Sequence, residues 1–238
     1  MAFRYSPKIV TDGLIFAVDA ANKKSYPGSG TTITDIGGRE NTGTLTNGPT
    51  FASGDGGSIA FDDTNDYITF GNTSTLNFEW NDPHSIEVWL KRSNSGNSYI
   101  VGKNESSGNY RGTEFTFSGA NTVFYIIRNT NSTSNRIYSI TTGTYNDGEW
   151  HQFVVTYDGS GTAGGIGIYV DTVSDVSIVN NGNITGGTTS TANAVIGARN
   201  GVANYFGGNI ASVKYYNKVL TFSEITQNYN ATKGRFGL

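Results

Sequence analysis

A chain of 238 residues is long enough for one large sandwich domain or two small ones. Its composition, with 13% aromatic and 15% charged residues, 32 glycines and no cysteine, favours strands and turns over helices and excludes both a disulfide framework and a thiolate metal site. A net charge of -3, without a long run of either sign, gives a nucleic-acid backbone little to hold.

At the start, Met1–Pro7 is not followed by a sustained apolar run, because Gly13–Val18 is cut by Asp19, and no secretory signal is expected. No stretch of about 18 apolar residues suggests a membrane helix either. Strand periodicity is read at Leu14–Val18, Ile59–Phe61 and Tyr67–Phe70. It is clearest where Ile86, Val88 and Leu90 share one face and Glu87, Trp89 and Lys91 the other, the pattern of a half-buried strand. Further strands are expected at Glu114–Phe117, Val123–Arg128, Ile137–Ile140, Phe153–Tyr157, Ile166–Val170, Ala194–Ile196 and Ile210–Tyr216. Asn146-Asp147-Gly148 and Asp158-Gly159 supply the turn chemistry between them. One helix is predicted, where Thr221 and Glu224 form a capping-box pattern and Phe222, Ile225 and Tyr229 follow on one face. No linker or repeat divides the chain, so it reads as one all-β domain over 1–238, with a core of about 10–230 and short terminal arms.

Several blocks carry a resemblance. Asp147-Gly148-Glu149-Trp150-His151-Gln152-Phe153-Val154-Val155-Thr156-Tyr157-Asp158-Gly159, followed by Ile168-Tyr169-Val170-Asp171, resembles the central hairpin of laminin-G-like, concanavalin A-like jelly rolls. Ile59–Asp62 with Asp66-Tyr67-Ile68, Ser85–Trp89, and Ile196-Gly197 through Phe206–Ala211 to Leu220–Ile225 agree in order. The front, Gly13–Asn22 with Ser25–Thr31, and later Gly43-Thr44-Leu45 and Asn47-Gly48-Pro49, is similar to the version found in structural proteins of tailed bacteriophages. The resemblance implies a jelly-roll sandwich of two antiparallel sheets with a short C-terminal helix. It also implies a virion component, such as a capsid decoration, head-fibre or tail-associated protein, made in the host cytoplasm and partnered by other virion proteins or by copies of itself. Within that fold Trp89, Trp150 and Phe153 are expected to pack in the core or at its edges, with stacking on a ligand as the alternative. A carbohydrate-binding lectin module is the alternative reading, and a polysaccharide hydrolase a weaker one.

Related sandwich glycosidases place acid and nucleophile on one strand through Glu-x-Asp-x-x-Glu. None of Glu40, Glu79, Glu87, Glu105, Glu114, Glu149 and Glu224 has Asp two positions on, and Asp147 with Glu149 flanks a turn glycine. The only histidines, His84 and His151, lie in no zinc or nucleophile motif, and no phosphate-binding glycine loop is present. The chain is therefore expected not to be an enzyme. Tyr110, Arg111, Arg128, Arg136, Arg199 and Tyr205, with Tyr138, suit stacking on sugar rings and gripping hydroxyls, or equally a protein interface. Asp62, Asp63 and Asp66 are hard oxygen ligands in one short loop and candidates for calcium, although the same residues make an ordinary hairpin turn. Phe3 and Tyr5 at one end and Arg235 and Phe236 at the other are aromatic and basic residues outside the expected sandwich. They are candidate anchors for assembly, with folding back onto a sheet edge as the alternative.

Overall fold

A computed structural model describes residues 7–178 and 182–238. The first strands are β1 (Leu14–Asp19), β2 (Thr32–Thr34), β3 (Thr42–Thr46), β4 (Thr50–Ala52), β5 (Ser58–Asp62) and β6 (Tyr67–Thr69). Then come β7 (His84–Lys91), β8 (Ser98–Asn104), β9 (Gly112–Phe117), β10 (Val123–Arg128), β11 (Arg136–Ile140) and β12 (Trp150–Tyr157). The last are β13 (Ile166–Val170), β14 (Val173–Ser174), β15 (Ser177–Ile178), β16 (Ala194–Ile196) and β17 (Gly207–Tyr216), followed by helix α1 (Phe222–Thr232).

Two antiparallel sheets form a jelly-roll sandwich. One runs β14-β13-β12-β7-β17-β5-β4, with β1 also pairing β17, and the other runs β15-β11-β10-β9-β8-β16-β6-β3-β2. On β17 the first half pairs with β5 and the second half with β1, so two strands share one edge end to end. The core lies between the sheets, where Ile86, Val88, Phe153, Val155, Val213 and Tyr215 of the first meet Phe115, Phe117, Tyr125, Ile127 and Ile137 of the second. Alternation with period two supplies one such row from each strand.

The outer face of the first sheet departs from the half-buried pattern. Glu87, read on the polar row of β7, is fully buried, and so is Trp89, expected in the core or at its edges, because α1 and the C-terminal turn lie across them. Thr221 caps α1 as predicted: its hydroxyl accepts from the Glu224 amide while the Glu224 carboxylate accepts from the Thr221 amide. Ile225 and Asn228 then face the sheet, and Asn228 donates to Glu87 at 2.6 Å.

The chain end is the second correction. Phe236 is buried against Trp89 and Trp150, with ring centroids 4.4 and 4.6 Å away. Arg235 pairs with Asp19 at 2.8 Å and donates to the Asp55 and Gly57 carbonyls. Neither is available as an anchor toward a neighbouring molecule, since covering this apolar outer face consumes both. Phe3 and Tyr5 lie outside the described residues.

A buried histidine makes the core acid-sensitive. His84 is fully enclosed, stacked on Phe78 at 4.3 Å, with Nδ1 donating to the Asp82 carbonyl at 2.7 Å, so Nε2 accepts from the Tyr125 hydroxyl. Burial pulls its pKa down to about 4, while the unfolded chain keeps an ordinary value near 6.5. The unfolded state thus takes up the proton first, and stability falls as pH drops from about 6.5 through 4, by about 3 kcal/mol in all. Denaturation at pH 7 and pH 4 in wild type and His84→Gln measures it: the variant should lose much of the slope, and an unchanged slope would assign it to other groups.

Candidate functional site: a cationic groove on the second sheet

Strands β9, β10 and β11 lie side by side in register, with Glu114 opposite Ile126 and Ile126 opposite Tyr138, Thr116 opposite Phe124, and Arg128 opposite Arg136. Because Phe115, Tyr125 and Ile137 point into the core, these intervening residues share the outer face. They line a groove of about 390 Å³, joined by Arg199 and Asn204 from the turn between β16 and β17. That volume suits a ligand of one or a few rings.

On β8, next to β9, a glycine gives room to a buried tyrosine. A Cβ on Gly102 would lie 2.4 Å from both the Tyr99 hydroxyl and the Thr113 carbonyl, so the absent side chain leaves room for the Tyr99 hydroxyl to donate to Asn104 Oδ1 at 2.8 Å. Glu114 stands at the centre, with only 3% of its side chain exposed. Its Oε1 accepts from Arg199 at 2.7 Å and its Oε2 faces Arg128 at 3.3 Å. Burial pulls the Arg128 guanidinium below its ordinary pKa, and Glu114 works in the opposite direction. Tyr110 flanks the pair, its ring 5.7 Å from both the Arg128 and the Arg199 guanidinium carbon. It holds φ 52°, a left-handed conformation costly for a bulky residue and of the kind that concentrates at binding sites. Arg136 lies over Tyr138 at 5.8 Å, and Tyr138 packs on Phe124 at the same separation.

Of the residues picked from sequence, Arg128, Arg136 and Arg199 line the groove together, Tyr138 lines it too, and Tyr110 props two of the arginines. Arg111 and Tyr205 do not line it. The Arg111 amide donates to Glu105 at 3.3 Å, and the Tyr205 hydroxyl caps the Gly201 carbonyl at 3.2 Å. Sequence reasoning missed Glu114, Phe124 and Asn204. The alternation of β9 and β10 places Glu114 and Phe124 on the outer row and was the available signal; Asn204, in a turn, had none.

The other candidates stand apart. His151 lies between two carboxylates, Nδ1 to Asp171 at 2.6 Å and Nε2 to Asp147 at 3.3 Å. Burial works against its charge, but these two partners prevail and raise its pKa, leaving neither ring nitrogen open to a substrate. Asp62, Asp63 and Asp66 do not converge. Asp62 Oδ1 accepts the amides of Thr64 and Asn65 at 2.9 and 3.2 Å, and Asp66 Oδ2 accepts the Asp62 amide at 3.1 Å, as in a self-bonded turn. Among the described residues no group of three His, Cys, Asp or Glu side chains comes together as a metal site.

The chain is thus a sandwich with one sheet face covered by a helix and the other carrying a groove. The chain belongs to the Concanavalin A-like lectin/glucanases superfamily, whose family model matches residues 62–226. Among solved structures it is similar to the botulinum neurotoxin serotype G binding domain, with TM-score 0.66 and 14% identity over 91% of this chain and 50% of that one. The binding domain of Paraclostridial Mosquitocidal Protein 1 gives TM-score 0.65 and 16% identity over 93% of this chain and 52% of that one. Trypanosoma rangeli sialidase in complex with sialic acid gives TM-score 0.67 and 13% identity over 98% of this chain and 36% of that one. The chain thus spans about half the length of the toxin binding domains and about a third of the sialidase, and at these identities the likeness is one of fold. No curated protein matches it in sequence.

Proposed function

We propose that the chain is a non-enzymatic carbohydrate-binding domain whose ligand lies in the groove across β9, β10 and β11. The observation that carries this reading is the pairing of an aromatic shelf, Phe124 and Tyr138, with the guanidinium donors of Arg128, Arg136 and Arg199 in one groove. Sugar rings need an apolar surface under their C–H faces and donors and acceptors at their rims. Absence of chemistry is supported by Glu114, the one carboxylate among the groove-lining residues, whose two oxygens are both held by arginines. Retaining or inverting hydrolysis uses two carboxyl groups, one of them a proton donor. The reading needs no metal ion, because the guanidiniums supply the charge.

A glycan array probed with wild type and Tyr138→Ala tests it. Wild type should select a restricted set of glycans, and the variant should bind them about tenfold more weakly or worse, a loss of about 1.4 kcal/mol. Equal binding by the two proteins would remove the groove from the argument. Release of reducing sugar by wild type from any bound polysaccharide would overturn the non-enzymatic part.

The setting proposed for this domain is the virion of a tailed bacteriophage, supported by the likeness of Gly13–Asn22, Ser25–Thr31 and Asn47-Gly48-Pro49 to such proteins. Capsid, portal or tail genes beside its own would support that setting. Metabolic genes there would favour a free lectin.

A further inference from the structure

The groove carries more positive charge than its own fold uses. Three guanidiniums, Arg128, Arg136 and Arg199, stand against the single carboxylate of Glu114. Elsewhere each cation of an ion pair has at least one carboxylate to itself: Lys214 has Glu87, Arg235 has Asp19, Lys91 has Asp55, and Lys218 has both Asp12 and Glu224. The two oxygens of Glu114 face Arg199 and Arg128, and no ion pair joins it to Arg136. Arg136 has no carboxylate partner among the described residues, and its contact is with the Tyr138 ring. The Nε atoms of all three arginines have no hydrogen-bond partner within the chain, which is also true of Arg111 outside the groove. Guanidinium forks match the planar pair of oxygens of a carboxylate and bind a sulfate with the same donors.

We propose that the groove takes an acidic saccharide, its carboxylate or sulfate seated among Arg136, Arg128 and Arg199 and its ring laid against Tyr138 and Phe124. The inference rests on the carbohydrate-binding reading and narrows it to one chemical class. The rest of the molecule works against a general affinity for polyanions, since the chain carries a net charge of -3. A preference for acidic sugars therefore has to be local.

Two matched pairs of polymers test it by titration calorimetry at 150 mM salt: polygalacturonate against its fully methyl-esterified form, and a sulfated galactan against the same galactan desulfated. Wild type should bind at least one acidic member ten times or more tighter than its neutral partner, and the pair that shows the preference names the oxyanion. Arg136→Gln, a substitution at a half-exposed position, should abolish that preference with an unchanged circular dichroism spectrum, and Arg136→Lys should restore part of it. Equal binding of acidic and neutral members would overturn the acidic assignment and leave the carbohydrate reading standing. Binding of none of the four polymers would overturn the assignment too, and the glycan array then decides the broader reading by itself. A preference that survives in Arg136→Gln would also reject the assignment, because the charge would then act from elsewhere on the surface.

Discussion

Replacing Glu87 with alanine is expected to destabilise the domain by about 3–5 kcal/mol, because it strands a buried cation. Glu87 is completely enclosed between the first sheet and α1, with Lys214 at 2.6 Å on Oε1 and the Asn228 amide at 2.6 Å on Oε2. The network continues: Asn228 also donates to the Tyr216 hydroxyl at 3.0 Å and accepts the Val10 amide at 2.7 Å. Removing the carboxylate leaves the Lys214 ammonium and an amide donor without partners where water does not reach. Denaturant unfolding of Glu87→Ala, alone and combined with Lys214→Met, separates the costs. The double variant should recover much of the loss, since a pair replaced by apolar groups avoids the desolvation that a lone charge suffers. A single-variant loss below about 1 kcal/mol would mean that Lys214 finds solvent, contrary to its burial.

A loss of similar size, about 3–5 kcal/mol, is expected for Trp89→Ala, through packing instead of charge. The Trp89 ring stacks on Phe236 at 4.4 Å and on Tyr229 at 5.6 Å, and its Nε1 donates to the Thr232 hydroxyl at 2.9 Å. It therefore holds the end of α1 and the C-terminal turn to β7, beside the Asn228–Glu87 hydrogen bond. Beyond the stability loss, the variant should become sensitive to limited proteolysis within 222–238, with Trp89→Phe intermediate. A melting temperature within about a degree of wild type would show that the helix docks without this contact.

Those two residues also mark what the sequence displays and what it conceals. Period-two alternation in 86–91 identifies β7 and its inward row, Ile86, Val88 and Leu90. It cannot reveal that the opposite row is covered, because the cover arrives from residues more than a hundred positions away. The capping box at Thr221 and Glu224 locates α1 well, since both partners are local. Strand β8 escapes because its polar residues, Ser98, Lys103 and Asn104, sit at its ends and on both faces, leaving no alternation across Tyr99, Ile100, Val101 and Gly102. The short Thr- and Gly-rich strands β2, β3 and β4 carry too few apolar residues to show a period. In the groove, Arg128 and Arg136 are cross-strand neighbours within one hairpin, whereas the Arg199–Glu114 pair joins residues 85 apart. Residue type could nominate the arginines, but only the fold gathers them in one groove, two of them on Glu114.

The register of β9, β10 and β11 has a consequence for how such a domain can diversify. Along each strand the side chains that build the core, Phe115, Tyr125 and Ile137, alternate with those that face the groove, Glu114, Ile126 and Tyr138. One set can drift while the other is held, so descendants of this sequence can exchange one ligand for another without renegotiating the interior. Selection on the open face then leaves an imprint on every second position, and variation among such chains should be sparse in the inward row and dense in the outward one.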